Sequence, residues 1–255
     1  MKDKNELVSV IMPAYNAEGT IEKSIISVLN QLYSNTELII VDDASTDQTE
    51  TIVRHYLNEP RVKYIRLKTN AGIAEARNVA IKASDGRYIA FLDSDDTWNK
   101  TKLTLQVRQM QRLNVSASFS AYIRLKSNGQ VTAKEKVDAK RDAYGFKELL
   151  GGNPIGMLTV MLDSKRIPKE AIVFPQVSHE DYALWLTLAR DRDVIFNNYS
   201  HDPQANYLVH GSHTSNKFKS AYWTFKIYKG YLNLGLVKSL FCFTRYLATQ
   251  ISKRI

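Results

Sequence analysis

Three short apolar segments in the first hundred residues are each followed by a polar motif and then by a helical pattern. The segments are residues 7–12, 37–41 and 88–92, and the motifs read PAYN, VDDAS and LDSDD. Strands that alternate with helices predict a mainly parallel sheet with right-handed connections. Ligands bind beyond the carboxyl ends of the strands in such sheets. The spacing therefore predicts that the three motifs share one edge and form a binding site there.

The remaining pattern predicts an α/β fold with a helical C-terminal tail. A further strand is predicted at 62–67, and residues at helical spacing predict five helices, at 21–32, 48–57, 73–83, 102–113 and 182–190. Residues 117–125 and 130–136 flank Asn128-Gly129, a strong hairpin signal. No internal repeat interrupts this order.

The basic excess lies at the end of the chain. The net charge of the 255 residues is +9, and eight of the 35 basic residues but none of the 26 acidic residues follow Asp202. This distribution argues against nucleic acid as a partner and favours a local contact with an anionic surface. The single cysteine, Cys242, excludes an intrachain disulfide and a CxxC zinc site. Without an apolar run of about 18 residues or a secretory signal pattern, we expect a cytoplasmic chain that does not span the membrane.

Carboxylates dominate the candidate site. Asp93, Asp95 and Asp96 follow a strand directly, and carboxylates this close repel one another unless a cation or donor hydroxyls compensate. A hard ion such as Mg²⁺ or Mn²⁺ prefers one or two carboxylates together with phosphate oxygens. The alternative is a solvated loop that caps the next helix. Asp42, after residues 37–41, is suited to accept hydrogen bonds from a base or a ribose, or else to cap a helix.

Three further groups have both a functional and a structural interpretation. Arg77 is either a cation near a pyrophosphate or a surface arginine. Glu180 and Asp181 supply either a general base for an acceptor hydroxyl or acidic residues at a helix start. His210 and His213 are candidates for a metal ligand or a phosphate contact, although most loop histidines are neither.

Together these motifs resemble family 2 glycosyltransferases, an inverting family with the GT-A fold. The landmarks span about residues 7–216 and read VSVIMPAYNAEGTIEKSIISVLNQ, ELIIVDDASTDQT, NAGIAEARNVAI, GRYIAFLDSDD and HEDYALWL. The tail and the preceding YLVHGSHTSNK look most like transferases of bacterial cell-surface polysaccharides, such as teichuronic acid and the O-antigen of lipopolysaccharide. The resemblance implies sugar transfer from a nucleotide donor, with UDP favoured, to an undecaprenyl-diphosphate-linked saccharide. A β-1,3-glucosyl transfer to lipid-linked N-acetylglucosamine is one assignment among several.

The resemblance also implies donor-binding residues. Pro13, Ala14 and Tyr15 would form a wall against the nucleotide base. Asp42 would bind the uracil edge, and Arg77 would lie near the nucleotide.

The remaining implied roles concern the metal, the ribose and the chemistry. Asp93 would contact the ribose, and Asp95 would bind Mn²⁺ or Mg²⁺, with His210 as a further candidate ligand. Asp181 would be the catalytic base, and Glu180 would support it or bind the acceptor.

The chain is expected to divide at residue 216. Residues 1–216 would form the glycosyltransferase domain, with a nucleotide-binding half at 1–114 and an acceptor-binding half at 115–216. Residues 217–255 would form a basic, aromatic helical tail. This tail is either an interfacial helix at the inner face of the bacterial membrane or a helix packed on the domain.

Two other functions compete with this prediction. A sugar-phosphate nucleotidylyltransferase would need a glycine-rich loop after the first strand, where this chain reads PAYNAEG. A non-catalytic sugar-nucleotide binding module would not need Asp181, so turnover in an Asp181→Asn variant separates it from an enzyme.

Overall fold

The computed structural model describes residues 5–127, 132–209 and 217–252. Twelve strands occur in these ranges: β1 (Val8–Ala14), β2 (Thr36–Asp42), β3 (Val62–Arg66), β4 (Tyr88–Phe91), β5 (Thr97–Trp98), β6 (Ala117–Ser120), β7 (Tyr122–Ser127), β8 (Thr132–Val137), β9 (Ala143–Tyr144), β10 (Met161–Asp163), β11 (Phe196–Ser200) and β12 (Ala205–Val209). The α-helices in the same ranges are α1 (Ile21–Leu29), α2 (Thr49–Arg54), α3 (Ile73–Lys82), α4 (Lys102–Leu113), α5 (Phe146–Leu149), α6 (Glu180–Asp191), α7 (Lys217–Lys226) and α8 (Leu236–Ser252). A π-helical segment, Ile227–Tyr231, continues α7.

Eight of the strands form one central sheet in the order β3-β2-β1-β4-β10-β6-β11-β9. The first four strands in this order are parallel to one another. β10 runs antiparallel to both of its neighbours, β4 and β6, and β11 runs parallel to β6. A second sheet has the order β5-β12-β7-β8. The predicted α/β fold with a mainly parallel central sheet is therefore confirmed.

The central strands are buried on both faces, which explains why they read as continuous apolar runs. All residues of β1 and β2 are buried. Successive side chains of a strand point to opposite faces, so Ile11 and Ile39 join the core under α3 and α6. Val10 and Leu38 join the second core, under α1 and α4. Helices therefore cover both faces of the central sheet.

The predicted strand at 117–125 is corrected by the structure. It divides at Ala121 into β6, which belongs to the central sheet, and β7, which belongs to the second sheet. The backbone N–H of Ala121 donates to Ser200 O and its carbonyl accepts from Gln204 N, so this residue is held between the two sheets. β7 and β8 pair antiparallel, as a hairpin requires. The Asn128-Gly129 turn itself lies outside the described residues.

The tail packs on the rest of the chain through its buried side. Ile227, Tyr228, Leu232 and Cys242 belong to the same core cluster as α6. The hydroxyl of Tyr228 lies 2.8 Å from that of Tyr182 and donates to Leu150 O at 3.0 Å. These hydrogen bonds fix the tail against the start of α6. None of the helices in the described ranges is both long and apolar enough to cross a membrane.

Lys102, at the start of α4, is fully buried. Its Nζ has no hydrogen-bond partner in the described parts of the chain and lies 3.8 Å from the centroid of the Trp98 ring. Burial lowers the pKa of Lys102 well below the ordinary value for lysine. A buried amine without a partner costs free energy, because the folded state favours the neutral form while the unfolded state binds a proton.

Replacing Lys102 by Met is expected to raise the free energy of unfolding at neutral pH by about 1–3 kcal/mol. The stability of the wild type should rise with pH up to the ordinary lysine pKa of about 10.4, because its unfolded state binds more protons. The variant should lack this contribution. Urea unfolding at several pH values measures both effects, with the exposed Lys100→Met as control. A less stable Lys102→Met variant would contradict the interpretation.

Candidate active site

A cavity of about 900 Å³ opens at the carboxyl ends of β1, β2 and β4. This volume is suited to a ligand of nucleotide size. Its walls come from the three polar motifs and from the loop before α3; the lining residues include Pro13, Ala14, Tyr15, Asn16, Asp43, Asn70, Gly72, Ile73, Ala76, Asp93, Ser94 and Asp95. The expected convergence of the motifs on one edge of the sheet is therefore observed.

Pro13, Ala14 and Tyr15 form one wall of this cavity. Pro13 and Ala14 are the last residues of β1, and the Tyr15 side chain follows at 51% exposure. An exposed aromatic ring beside a cavity offers a stacking surface for a flat ligand. Their contact with a nucleotide base stays a prediction.

Asp42 does not line the cavity, which corrects its predicted place against the base. Asp42 is the last residue of β2 and is fully buried. Its carboxylate accepts hydrogen bonds from Ser45 N at 2.8 Å and from the Tyr64 hydroxyl at 2.6 Å. Burial and this hydrogen bond to Asp42 raise the pKa of Tyr64. Asp42 therefore fixes the turn after β2 from inside the protein.

Asp43 is the carboxylate of this motif that reaches the cavity. Its two oxygens accept hydrogen bonds from Ala71 N at 2.7 Å and Gly72 N at 2.8 Å. Gly72 has φ +89°, a conformation that favours glycine, and directly precedes α3. Asp43 thus holds the loop that turns the N-terminus of α3 toward the cavity, where a helix dipole favours an anion.

Asp93 and Asp95 both line the cavity. Asp96 lies beside them, is 1% exposed, and accepts a hydrogen bond from Leu208 N at 3.0 Å. Burial and the charges of Asp93 and Asp95 raise the pKa of Asp96 well above its ordinary value. Clustered carboxylates beside a nucleotide-sized cavity suit a hard divalent ion that also takes phosphate oxygens.

No group of three or more His, Cys, Asp or Glu residues is arranged to hold a metal ion in the described ranges. His210, predicted as a further metal ligand, lies outside the described residues, as does His213.

Arg77 is buried behind the cavity wall, so the surface-arginine alternative is wrong, and its place near the nucleotide stays a prediction. The side chain is only 3% exposed. Its guanidinium donates to Asp93 at 2.7 Å and to Glu180 at 2.6 Å, and lies 5.3 Å from the centroid of the Phe174 ring. Burial opposes the charge, but Asp93 and Glu180 outweigh it and raise the pKa of Arg77. Arg77 therefore joins Asp93, in the cavity wall, to the start of α6.

Asp181 follows Glu180 on the first turn of α6. Burial and the charge of Glu180 raise the pKa of Asp181 above its ordinary value, although the backbone N–H of Tyr182 opposes the shift. Asn153 Nδ2 donates to Asp181 Oδ2 at 3.1 Å and holds the carboxylate in place. A raised pKa makes a carboxylate a better proton acceptor at neutral pH.

The sequence pattern missed two of these residues. Asp43 is the first residue beyond the paired register of β2, which ends at Asp42 opposite Ala14. The apolar run ends at Val41, before both aspartates, so no sequence signal distinguishes them. Asn153 lies in the 138–175 region, where no sequence signal links it to Asp181.

A mainly parallel sheet with acidic motifs around a nucleotide-sized cavity defines an α/β fold of the GT-A type. The glycosyl transferase family 2 model matches residues 9–161. TuaG of Bacillus subtilis (strain 168), a glycosyltransferase assigned to teichuronic acid biosynthesis, is 37% identical over 258 residues and covers 100% of both chains.

A second relative is WfgD of Escherichia coli, a UDP-Glc:alpha-D-GlcNAc-diphosphoundecaprenol beta-1,3-glucosyltransferase. It is 40% identical over 216 residues, which is 84% of this chain and 81% of WfgD. The crystal structure of S. aureus TarS 1-349 in complex with UDP superposes on this chain with a TM-score of 0.69 at 23% identity. The match covers 96% of this chain and 72% of that chain and shows that the two share a fold. The chain belongs to glycosyl transferase family 2 and is a glycosyltransferase, as its motifs predicted.

Replacing Arg77 by Met is expected to destabilise the protein by about 3–5 kcal/mol, because Asp93 and Glu180 would lose their shared cation. A triple variant that adds Asp93→Asn and Glu180→Gln should recover part of this loss, because no unpaired charge then remains. Denaturant unfolding of both proteins makes the comparison. Equal stabilities for the single and the triple variant would show that the bridge is not electrostatic.

Proposed function

We propose that this glycosyltransferase moves a sugar from a UDP-linked donor to a saccharide linked to undecaprenyl diphosphate, with inversion at the anomeric carbon. The observation that carries the proposal is the Arg77 bridge. It ties Asp93, in the wall of the nucleotide-sized cavity, to Glu180, the neighbour of Asp181. The names of TuaG and WfgD support a role in making bacterial cell-surface polysaccharides.

The donor would lie along the carboxyl edge of the sheet. The base would stack on the wall that includes Tyr15, and a base N–H would donate to Asp43. Asp93 would accept a hydrogen bond from the ribose. Asp95 and the diphosphate oxygens would hold Mn²⁺ or Mg²⁺, which neutralises the charge of the leaving diphosphate. The N-terminus of α3, at Ile73, faces the same cavity and favours the same negative charge.

The chemistry would then be a single displacement. Asp181 would take the proton from the acceptor hydroxyl while the oxygen attacks the anomeric carbon, and the bond from that carbon to the diphosphate breaks with its electron pair on the leaving group. Residues 1–114 would thus bind the donor, and residues 115–216 would supply Asp181 and its partner Asn153.

Replacing Asp181 by Asn should lower the rate of acceptor-dependent nucleotide release by about 10²–10⁴-fold, because the base is lost. Affinity for UDP should stay close to that of the wild type, because Asp181 does not line the donor cavity. Asp191→Asn, an exposed position at the end of the same helix, is the matched control. Unchanged turnover in Asp181→Asn would support a non-catalytic role for this carboxylate.

The Asn153→Ala variant tests the assignment of Asp181 as the base through the pH dependence of kcat/KM. Asn153 donates to the carboxylate of Asp181, so its removal should raise the pKa of Asp181 further. The acidic limb of kcat/KM should therefore move to higher pH, by about one unit. A limb that stays in place would argue against Asp181 as the base.

We further propose that α8 holds the enzyme on the inner face of the cell membrane. Ser239, Cys242 and Tyr246 form the buried side of this helix. Its outer side carries five large exposed apolar residues: Leu236, Val237, Leu240, Phe241 and Leu247. A helix that exposes apolar residues on its outer side is suited to a lipid surface or a partner.

The charge of the tail favours an anionic lipid surface as the partner of the outer side of α8. Lys238 and Arg245 are exposed on the same helix, and no acidic residue follows Asp202. Each such cation contributes about 1 kcal/mol near an anionic leaflet. A lipid-linked acceptor would also require the enzyme to work at this surface.

A Val237→Ser/Phe241→Ser double variant should lose flotation with phosphatidylglycerol vesicles, because both side chains are exposed and apolar. The matched control is Leu32→Ser/Val173→Ser, which removes two exposed apolar side chains elsewhere. Wild type that does not float, or a double variant that floats equally well, would contradict membrane binding. A concentration-dependent dimer that only Val237→Ser/Phe241→Ser abolishes would assign this face to a second copy of the chain instead.

A further inference from the structure

A second cavity, of about 750 Å³, lies between the start of α6 and the tail. It shares Gly72 and Ile73 with the donor cavity, so the two spaces adjoin at the N-terminus of α3. Glu180 lines it from one side. The tail supplies the opposite wall through Trp223, Lys226, Ile227, Gly230 and Tyr231. Two ligands could therefore occupy adjoining spaces at the same time.

The lining of this cavity combines aromatic rings, one cation and one carboxylate. Trp223 and Tyr231 present rings, a surface on which the apolar face of a sugar can pack. Lys226 Nζ lies 5.0 Å from the centroids of both the Tyr222 and the Trp223 rings. No ion pair involves Lys226 in the described ranges, and the chain has no acidic residue after Asp202. Its charge is thus available to an anionic ligand.

The π-helical segment fixes the shape of this wall. Ile227 and Tyr228 are buried and anchor the segment, while Gly230 lines the cavity, where an added Cβ would meet no atom within 4 Å. Short π-helical segments are rare and are often found at functional sites. The tail therefore contributes to the site in addition to its exposed outer face.

We propose that this second cavity binds the diphosphate-linked saccharide acceptor, with Lys226 on the diphosphate and Trp223 against the sugar. The inference rests on the proposed function, because it names the place of the acceptor in that reaction. A ligand in this cavity lies against Glu180, one residue from Asp181, and next to the donor cavity at Gly72. The chemistry of the walls matches such an acceptor: a cation for phosphate, rings for a sugar and apolar surface for the start of a lipid.

Two synthetic acceptors separate the contributions of the two side chains. One is the α-diphosphate ester of N-acetylglucosamine with a medium-length alkyl alcohol, and the other is the α-glycoside of the same alcohol, without the diphosphate. Lys226→Gln should raise KM for the diphosphate acceptor about tenfold and leave KM for the plain glycoside unchanged. Trp223→Leu should raise KM for both. KM for UDP-glucose should change in neither variant.

Lys229→Gln is the matched control, because Lys229 is exposed three residues farther along and does not line the cavity. If the wild type is active, equal KM values for the diphosphate acceptor in Lys226→Gln and Lys229→Gln would overturn the inference.

If the proposed function fails, the result is different: the wild type releases no nucleotide from any member of a panel of UDP-sugars with either acceptor. Calorimetric binding of the diphosphate acceptor in the presence of UDP then tests the cavity alone. Weaker binding in Lys226→Gln than in Lys229→Gln would support the inference. Absent binding to the wild type, or equal binding in the two variants, would refute it.

Discussion

One buried guanidinium connects the parts of the site that come from distant segments of the chain. Arg77 lies on α3 and donates both to Asp93, after β4, and to Glu180, on α6. At 3% exposure the cation is shielded from water, so its attraction to both carboxylates is much stronger than that of a surface ion pair. The relative position of donor cavity and α6 therefore depends on this contact.

The rest of the site follows from the topology of the sheet. Because the strands are parallel, three acidic or polar motifs lie at one edge of the sheet. The buried Asp42 stabilises the turn after β2, and Asp43, which lines the cavity, stabilises the loop before α3. The first half of the chain thereby builds the cavity at this edge. The second half supplies Asp181, whose raised pKa comes mainly from burial. The tail packs on α6 through Tyr228 and carries its apolar outer face on α8.

Local patterns in the sequence are sufficient to predict the alternating strands and helices and the edge where the motifs meet. They do not distinguish Asp42 from Asp43, because β2 is buried on both faces and lacks the alternation that would assign a direction to each side chain. The division at Ala121 depends on hydrogen bonds to Ser200 and Gln204, far along the chain. The Arg77 bridge and the Asn153 contact likewise join residues too distant in sequence for any local pattern to show.

The most direct test of the central claim is calorimetric titration with UDP, GDP, CDP and TDP in the presence of Mn²⁺. The donor cavity at the carboxyl edge predicts that UDP binds the wild type and that Asp43→Asn weakens this binding about tenfold or more. Asp42→Asn, whose side chain is buried behind the cavity, should bind UDP nearly as well as the wild type. Absent binding of every nucleotide, or equal UDP affinity in wild type and Asp43→Asn, would contradict the account.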